Sequence, residues 1–328
     1  MLRSLQRDGH LETLGASRLL ITGASGLLGI NLVRTACAQG HTVVAACHRH
    51  PIEIPGVLSL LANLTSPAEL GELVSQAEPD WIIHCAALTD VDYCQTHAAE
   101  AFLVNEELPR RLAIAARQCG AGLVHISTDA VFDGTRGNYS EQDSSSPVNT
   151  YAVSKWKGEE AVKRGLESAA ILRVNLYGWN TQEKSSLAEW FLTRLESGQV
   201  VPGFQDVMFT PILANDLGEI ILQTIQNELS GIYHVAGSQC CSKYDFAIQL
   251  ASAFDLDESL VKAVSIDDFP LHAPRPKNTS LNTQKISHAL GRTMPDLQTG
   301  LQRYKALRDS GEAQKLKQFS RSQSTCLR

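Results

Sequence analysis

The 328-residue chain is 43% hydrophobic and 20% charged, with a net charge of −6, a balance that suits a globular protein able to bury a large core as one big domain or two small ones. The negative charge, and the lack of any basic run interleaved with aromatics, argue against nucleic acid as a partner. No stretch reaches the about 18 continuous apolar residues of a membrane span, and charges break the N-terminal MLRSLQRDGHLETLGAS where a secretory leader needs an apolar core. The expected location is therefore cytoplasmic, away from membranes.

The eight cysteines (Cys37, Cys47, Cys85, Cys94, Cys119, Cys240, Cys241, Cys326) are scattered without a C-x-x-C pair, and several sit in apolar runs where cysteine acts as a small core residue. A vicinal disulfide between Cys240 and Cys241 would be strained, so free thiols in a reducing compartment are expected. His48-x-His50 reads as part of a solvated loop, so no metal is expected.

In chain order, residues 1 to 17 read as a polar, frayed tail. The run RLLIT (18 to 22) predicts a strand, and ITGASGLLGINLV turns directly from it into a helix near 26 to 39. That turn holds Gly23-x-x-Gly26-x-x-Gly29, with Ser25, Leu27 and Leu28 between the glycines. Glycines suit a tight turn whose backbone must approach a pyrophosphate and whose helix must pack close to its strand. A glycine-rich turn alone is weak evidence, but strand, turn and helix here stand in the required order. Dinucleotide binding is expected.

The second strand, TVVAAC (42 to 47), ends in AACHRH. A carboxylate there would accept from the ribose 2′-hydroxyl of NAD; instead Arg49, with His48 beside it, is placed for the 2′-phosphate of NADP. Next come VLSLL (57 to 61), the turn LANLTS with Asn63 and Leu64, a helix near 67 to 77, and the strand DWIIHCAA (80 to 87). Its small end residues Cys85, Ala86 and Ala87 let backbone lie against a cofactor. A helix near 98 to 119 follows, and then the strand GLVHIST (122 to 128), whose carboxyl end carries Ser127, Thr128 and Asp129. Ligands of open α/β sheets bind at that edge.

YAVSK (151 to 155) opens a helix over 151 to 166 and puts Tyr151 and Lys155 on one face at i and i+4. Reducing a ketone needs a hydride and a proton for the oxygen that becomes alkoxide. A free tyrosine, with a pKa of about 10, holds its proton tightly near neutrality; a lysine cation beside it is expected to lower that value. Thr128 would hydrogen-bond the developing oxyanion. The strand AAILRV (169 to 174) completes an alternation of continuous apolar runs and amphipathic segments, which predicts an α/β doubly wound parallel sheet covered on both faces.

Beyond residue 178 the alternation loosens. A helix near 185 to 197, the run VPGFQDVMFTPIL, a helix near 215 to 227, the strand GIYHVAG and a helix near 242 to 254 suggest a smaller mixed α/β lobe. The expected domains are a Rossmann domain over 18 to 178 and 213 to 236, and a substrate lobe over 179 to 212 and 237 to 308. Residues 309 to 328 read as a second polar tail.

The ordered set of glycine turn, small-residue strand end, strand-end hydroxyl and Tyr-x-x-x-Lys resembles the extended short-chain dehydrogenase/reductase superfamily. Within it STDAVFDG, YAVSKWKGE, FTPILANDL, GIYHVAG and RPKNTSL resemble the dTDP-4-dehydrorhamnose reductase family. The resemblance implies a Rossmann enzyme that uses NADP(H) to reduce a nucleotide-linked 4-keto-6-deoxysugar, with Thr128, Tyr151 and Lys155 as the catalytic set. It implies that Asn63 and Leu64 lie near the adenine, that Lys155 also binds ribose, and that Thr89, Val91, Thr128, Asp129 and Arg275 meet the substrate. Asn105 matches an asparagine that supports the active site, and a homodimer is admitted. This chain departs from the family in having Ala130 after STD and Leu176 before Tyr177, where aromatics often line the sugar pocket. Two alternatives stay open: a non-catalytic NADP-binding subunit like the β subunit of methionine adenosyltransferase, and a nucleotide-sugar epimerase or dehydratase.

Overall fold

The computed structural model describes residues 15 to 181 and 185 to 319, so most of the N-terminal tail, the last nine residues and Cys326 lie outside it. Strands β1 (Arg18–Thr22), β2 (Thr42–Cys47), β3 (Leu58–Leu61), β4 (Trp81–His84), β5 (Gly122–Thr128) and β6 (Ala170–Val174) build a sheet. The chain then makes β7 (Leu176–Tyr177), β8 (Val201–Phe204), β9 (Met208–Phe209) and β10 (Ile212–Leu213) before β11 (Gly231–His234), which returns to the sheet edge. The sheet order is β11-β6-β5-β4-β1-β2-β3, and every pairing in it is parallel. The order reverses between β1 and β4, which opens a crevice at their carboxyl ends.

The expected doubly wound sheet is therefore present, and its strands are apolar runs because helices cover both faces. The helices are α1 (Leu27–Ala38), α2 (Pro67–Ala77), α3 (Val91–Thr96), α4 (Ala98–Phe102), α5 (Leu108–Cys119) and α6 (Thr150–Gly165). They continue with α7 (Leu187–Glu196), α8 (Ala214–Gln226), α9 (Lys243–Ala253), α10 (Gln284–Leu290), α11 (Leu297–Asp309) and α12 (Glu312–Gln318). The remaining strands, β12 (Cys241–Ser242) and β13 (Val261–Val264), pair with β9 and β8 in small ribbons beyond the sheet, and β10 pairs with β7.

The helix expected over 98 to 119 is interrupted by a π turn at Leu103–Glu107. Its cause is visible in the sequence. Pro109 has no amide to donate to the Asn105 carbonyl four residues back, and its ring would crowd that carbonyl. The fourth strand also stops earlier than expected, at His84, so Cys85, Ala86 and Ala87 form an extended segment just past the sheet edge.

The polar character of residues 309 to 328 suggested a frayed end, and for residues 309 to 319 that expectation fails. Helix α12 buries Ala313 and Leu316 in the main core, Glu312 pairs with Arg34, and the Glu53 amide donates to the Phe319 carbonyl at 3.1 Å. Two apolar side chains three residues apart are enough to seat one short helix face.

Helix α6 is held against the sheet by a buried ion pair. Glu159, fully buried, accepts from Arg173 Nε at 2.9 Å and Nη2 at 2.7 Å, and from Ser127 Oγ at 2.5 Å. Removing one partner leaves the other charge buried and alone, which costs about 3 to 5 kcal/mol. Arg173→Met should lower unfolding stability by that amount. The double variant Arg173→Met/Glu159→Leu should recover most of the loss in urea denaturation.

Candidate active site

A cleft of ≈ 1110 Å³ runs along the carboxyl ends of the sheet strands, and every residue singled out above as a catalytic, cofactor or substrate candidate lines it. One wall is the turn after β1. Gly23 has φ +65°, and a Cβ there would lie 2.7 Å from the Ala86 backbone; a Cβ at Gly29 would meet the Gly23 carbonyl at 2.2 Å. Both glycines are thus required by close approach, of β1's turn to the segment after β4 and of α1 to that turn. Helix α1 begins at Gly26 with no side-chain cap and no acidic residue in its first turn. Its free amides, with Ser25, Leu27 and Leu28 around them, can receive an anion.

Cys85, Ala86 and Ala87 form the opposite wall, and Arg49, Asn63 and Leu64 stand at one end. Asn63 caps its own turn, its Oδ1 accepting from Thr65 N at 3.2 Å and Thr65 Oγ1 at 2.8 Å. His48 and His50 are exposed, and among the described residues no cluster of three or more His, Cys, Asp or Glu could hold a metal. Cys240 and Cys241 are free thiols, one exposed and one buried.

Thr128, Tyr151 and Lys155 meet in the middle of the cleft. Asn149 caps α6 by accepting from Ala152 N at 2.9 Å, which starts the helix so that Tyr151 and Lys155 face β5. The Tyr151 and Thr128 hydroxyls are hydrogen-bonded, and Thr128 Oγ1 also accepts from Ala130 N at 3.2 Å. Lys155 Nζ donates to the Ile126 carbonyl at 2.7 Å. Beneath it, buried His84 and His125 stack with centroids 5.3 Å apart. Burial, with Lys155 second, holds His84 down at about 3 and His125 well below the usual histidine range.

The expected effect of lysine on tyrosine is not what this geometry produces. Burial pushes Tyr151 up to about 12, opposed by the Thr128 hydrogen bond and reinforced by Asp129. Burial also pulls Lys155 down to about 8, opposed by Glu159 and Cys85. Desolvation is the largest effect on both groups, because both are buried beside the cleft.

Asn105 joins the two walls. Its Oδ1 accepts from Leu88 N at 2.9 Å, and its Nδ2 donates to Leu88 O at 3.0 Å and Ser154 Oγ at 3.1 Å. Thr89 and Val91 follow Leu88 into the cleft. Arg275 also lines it, but is already engaged, donating to Asp92 Oδ2 and to the Ala273 carbonyl, both at 2.9 Å. Asp129 is buried, accepting from Thr279 Oγ1 at 2.6 Å and Asn175 Nδ2 at 2.7 Å.

Asn175, Phe209, Lys243 and Thr279 were not among the residues expected from sequence, and all four line the cleft beside Asp129. Asn175 follows a strand's carboxyl end, and that rule could have found it; the other three arrive from segments beyond the parallel sheet. Phe204 and Phe209 supply aromatic rings to the cleft, which has Ala130 at its lining. Tyr177 turns away into the core, 2% exposed.

The chain matches the RmlD substrate binding domain family over residues 17–308. It belongs to that family. It is 33% identical to the Haloferax volcanii "Probable low-salt glycan biosynthesis reductase Agl14", over 86% of this chain and 95% of the relative. It is 31% identical to the dTDP-4-dehydrorhamnose reductase of Aggregatibacter actinomycetemcomitans (88% and 99%), and 32% identical to the methionine adenosyltransferase 2 subunit beta of Xenopus tropicalis (84% and 83%). The dTDP-4-dehydrorhamnose reductase of Bacillus anthracis, solved with NADP, superposes with a TM-score of 0.79 at 28% identity, over 89% of this chain and 99% of that one.

The lowered Lys155 has a consequence for stability. Its folded value of about 8 lies below the ordinary lysine value of 10.5, so between these pH values the unfolded chain binds the extra proton and stability rises with pH. That contribution is complete above 10.5 and is lost as pH falls through about 8. Lys155→Met should flatten the rise by up to about 1.4 kcal/mol per pH unit, read from urea unfolding of the cofactor-free protein between pH 8 and 10.

Proposed function

We propose that this protein reduces the keto group of a nucleotide-linked 4-keto-6-deoxysugar with NADPH. The observation that carries the reading is the meeting of Thr128, Tyr151 and Lys155 beside a glycine turn and small-residue wall shaped for a dinucleotide. Gly26, the first amides of α1 and Ser25 would hold the pyrophosphate, Arg49 the 2′-phosphate, and Lys155 the nicotinamide ribose. Bound there, the reduced nicotinamide supplies the hydride.

The chain's own residues do the rest. The Thr128 hydroxyl donates to the carbonyl oxygen and holds it as charge develops. Tyr151, protonated at neutral pH because burial raises it, delivers its proton to that oxygen. Lys155 stands on the same helix face with a value near working pH, ready to restore charge balance around the phenolate. Arg275, whose guanidinium keeps donors beyond those given to Asp92 and Ala273, would meet the nucleotide diphosphate.

The likeness to a methionine adenosyltransferase subunit favours a second reading, in which the chain binds NADP and serves a partner enzyme. Tyr151→Phe separates the two. As a reductase, the variant should keep its fold and NADPH affinity and lose about 10²- to 10⁴-fold in turnover, measured as NADPH oxidation with dTDP-4-dehydrorhamnose. A parent protein that binds NADPH and oxidises it with no nucleotide keto-sugar would overturn the reductase reading.

Arg49→Ala tests the choice of cofactor. A charge-assisted contact to the 2′-phosphate contributes about 1.5 to 3 kcal/mol, so the variant should lose one to two decades of NADPH affinity and little NADH affinity. Equal affinities of the parent for both cofactors would remove Arg49 from the site.

A further inference from the structure

The cleft contains a cation that the reduction does not use. Strand β12 pairs antiparallel with β9, placing Cys241 opposite Phe209 and Ser242 opposite Met208. Helix α9 then begins at Lys243, with Ser242 as its cap: Ser242 Oγ accepts from Asp245 N at 2.9 Å, and the Lys243 amide donates to the Val207 carbonyl at 3.0 Å. The ribbon on one side and the cap on the other fix the Lys243 backbone. Its side chain lies across Phe209, with Nζ 3.7 Å from the ring centroid.

From there the ammonium faces the cleft beside Asp129, Asn175 and Thr279. It makes no hydrogen bond to another described residue, although Asp129 is close enough for the two charges to act on each other. Burial draws Lys243 down to about 8, opposed chiefly by Asp129. Three donors in a partly desolvated place, with an aromatic ring on one side, leave a strong site for an oxygen acceptor. Asp129 Oδ2 is filled by Asn175 and Thr279, while Oδ1 has only the 3.2 Å contact from Thr128. One acceptor and one donor thus stand next to the hydroxyl that holds the reacting oxygen.

We propose that Lys243 and Asp129 act as a donor and acceptor pair that selects a neutral sugar by its two adjacent hydroxyls, the one beside the carbonyl and the next along the ring, Lys243 donating to one and Asp129 accepting from the other. This rests on the reduction of a nucleotide keto-sugar proposed above and names what part of the sugar the site reads. Their combined charge is zero, so a sugar carboxylate placed here would meet Asp129 and be disfavoured, whereas a diol satisfies both groups. Lys243 is a specificity residue in this scheme, and the proton still comes from Tyr151.

The test compares the parent with Lys243→Met, which keeps length and packing over Phe209 but removes charge and donors. The probes are the complete dTDP-4-keto-6-deoxysugar, its 2-deoxy and 3-deoxy analogues, dTDP alone and NADPH. Lys243→Met should raise the KM for the complete sugar about 10- to 100-fold, the range of a charge-assisted hydrogen bond. NADPH and dTDP affinities should stay within about twofold, since Lys243 touches neither in this scheme; that agreement also reports an intact fold. In the parent, removing the hydroxyl that Lys243 meets should cost a comparable factor, and in Lys243→Met that penalty should vanish. An unchanged KM, an equal loss for dTDP alone, or penalties for both deoxy analogues that persist undiminished in the variant would each overturn the pairing. If the parent reduces no keto-sugar, the reductase reading fails by itself. The pairing is then decided by dTDP-rhamnose binding, where equal affinity in parent and variant overturns it and a tenfold or larger loss supports it.

Discussion

The Arg173 to Glu159 ion pair fixes the relation between the two elements that carry Thr128, Tyr151 and Lys155, the proposed catalytic groups. Glu159 lies one turn after Lys155 on α6, Arg173 lies on β6, and Ser127, which donates to Glu159 at 2.5 Å, immediately precedes Thr128 on β5. One carboxylate therefore sets the distance between the helix bearing Tyr151 and Lys155 and the strand bearing Thr128. Burying two charges is expensive, and an apolar pair could give equal stability. What an apolar pair lacks is direction: Glu159 accepts along three separate bonds, two from Arg173 on β6 and one from Ser127 on β5. Phe132 adds to the clamp, with the guanidinium carbon 5.1 Å from its ring centroid. Glu159 also raises Lys155 against burial, so the same carboxylate braces the helix and keeps the lysine near its working range.

A second brace depends on a defect in a helix. The π turn before Pro109 turns Asn105 so that its amide bonds both backbone groups of Leu88 and the Ser154 hydroxyl. Gly158 permits this approach, since a Cβ there would lie 2.1 Å from the Asn105 carbonyl. The cleft-lining segment at residues 85 to 89 and helix α6 are thus referenced to one side chain. A regular α-helix through 103 to 107 would rotate that side chain away, which gives the irregularity a positive role.

The sheet and the reactive core were legible because their signals are local. A strand, a glycine turn and a helix in sequence define one wall of the cleft, and Tyr151 and Lys155 share a face by helical geometry alone. Phe209, Lys243 and Thr279 were not legible, because they approach Asp129 from separate parts of the chain and their meeting is made by tertiary packing; Asn175, just past β6, could have been read from its place at a strand's carboxyl end. Helix α12 was hidden for another reason: its two buried residues are spread through a polar segment whose composition resembles a solvated tail. The direction of the Tyr151 shift was misjudged from sequence because spacing gives proximity but not burial, and burial is the larger effect here.

That misjudged direction bears on the chemistry. A tyrosine held near 12 keeps its proton throughout the neutral range, so the resting site contains a donor rather than a base. Delivering that proton to a developing alkoxide is favourable, because an alkoxide is far more basic than a phenolate, and the Thr128 hydroxyl holds the oxygen while it arrives. Running the reaction toward ketone would first need the phenolate, which burial and Asp129 both oppose. The same desolvation that leaves Lys155 near 8 allows it to change charge at modest cost as the phenol loses its proton. In the cofactor-free cleft it is burial, and not the lysine, that sets the direction of the Tyr151 shift.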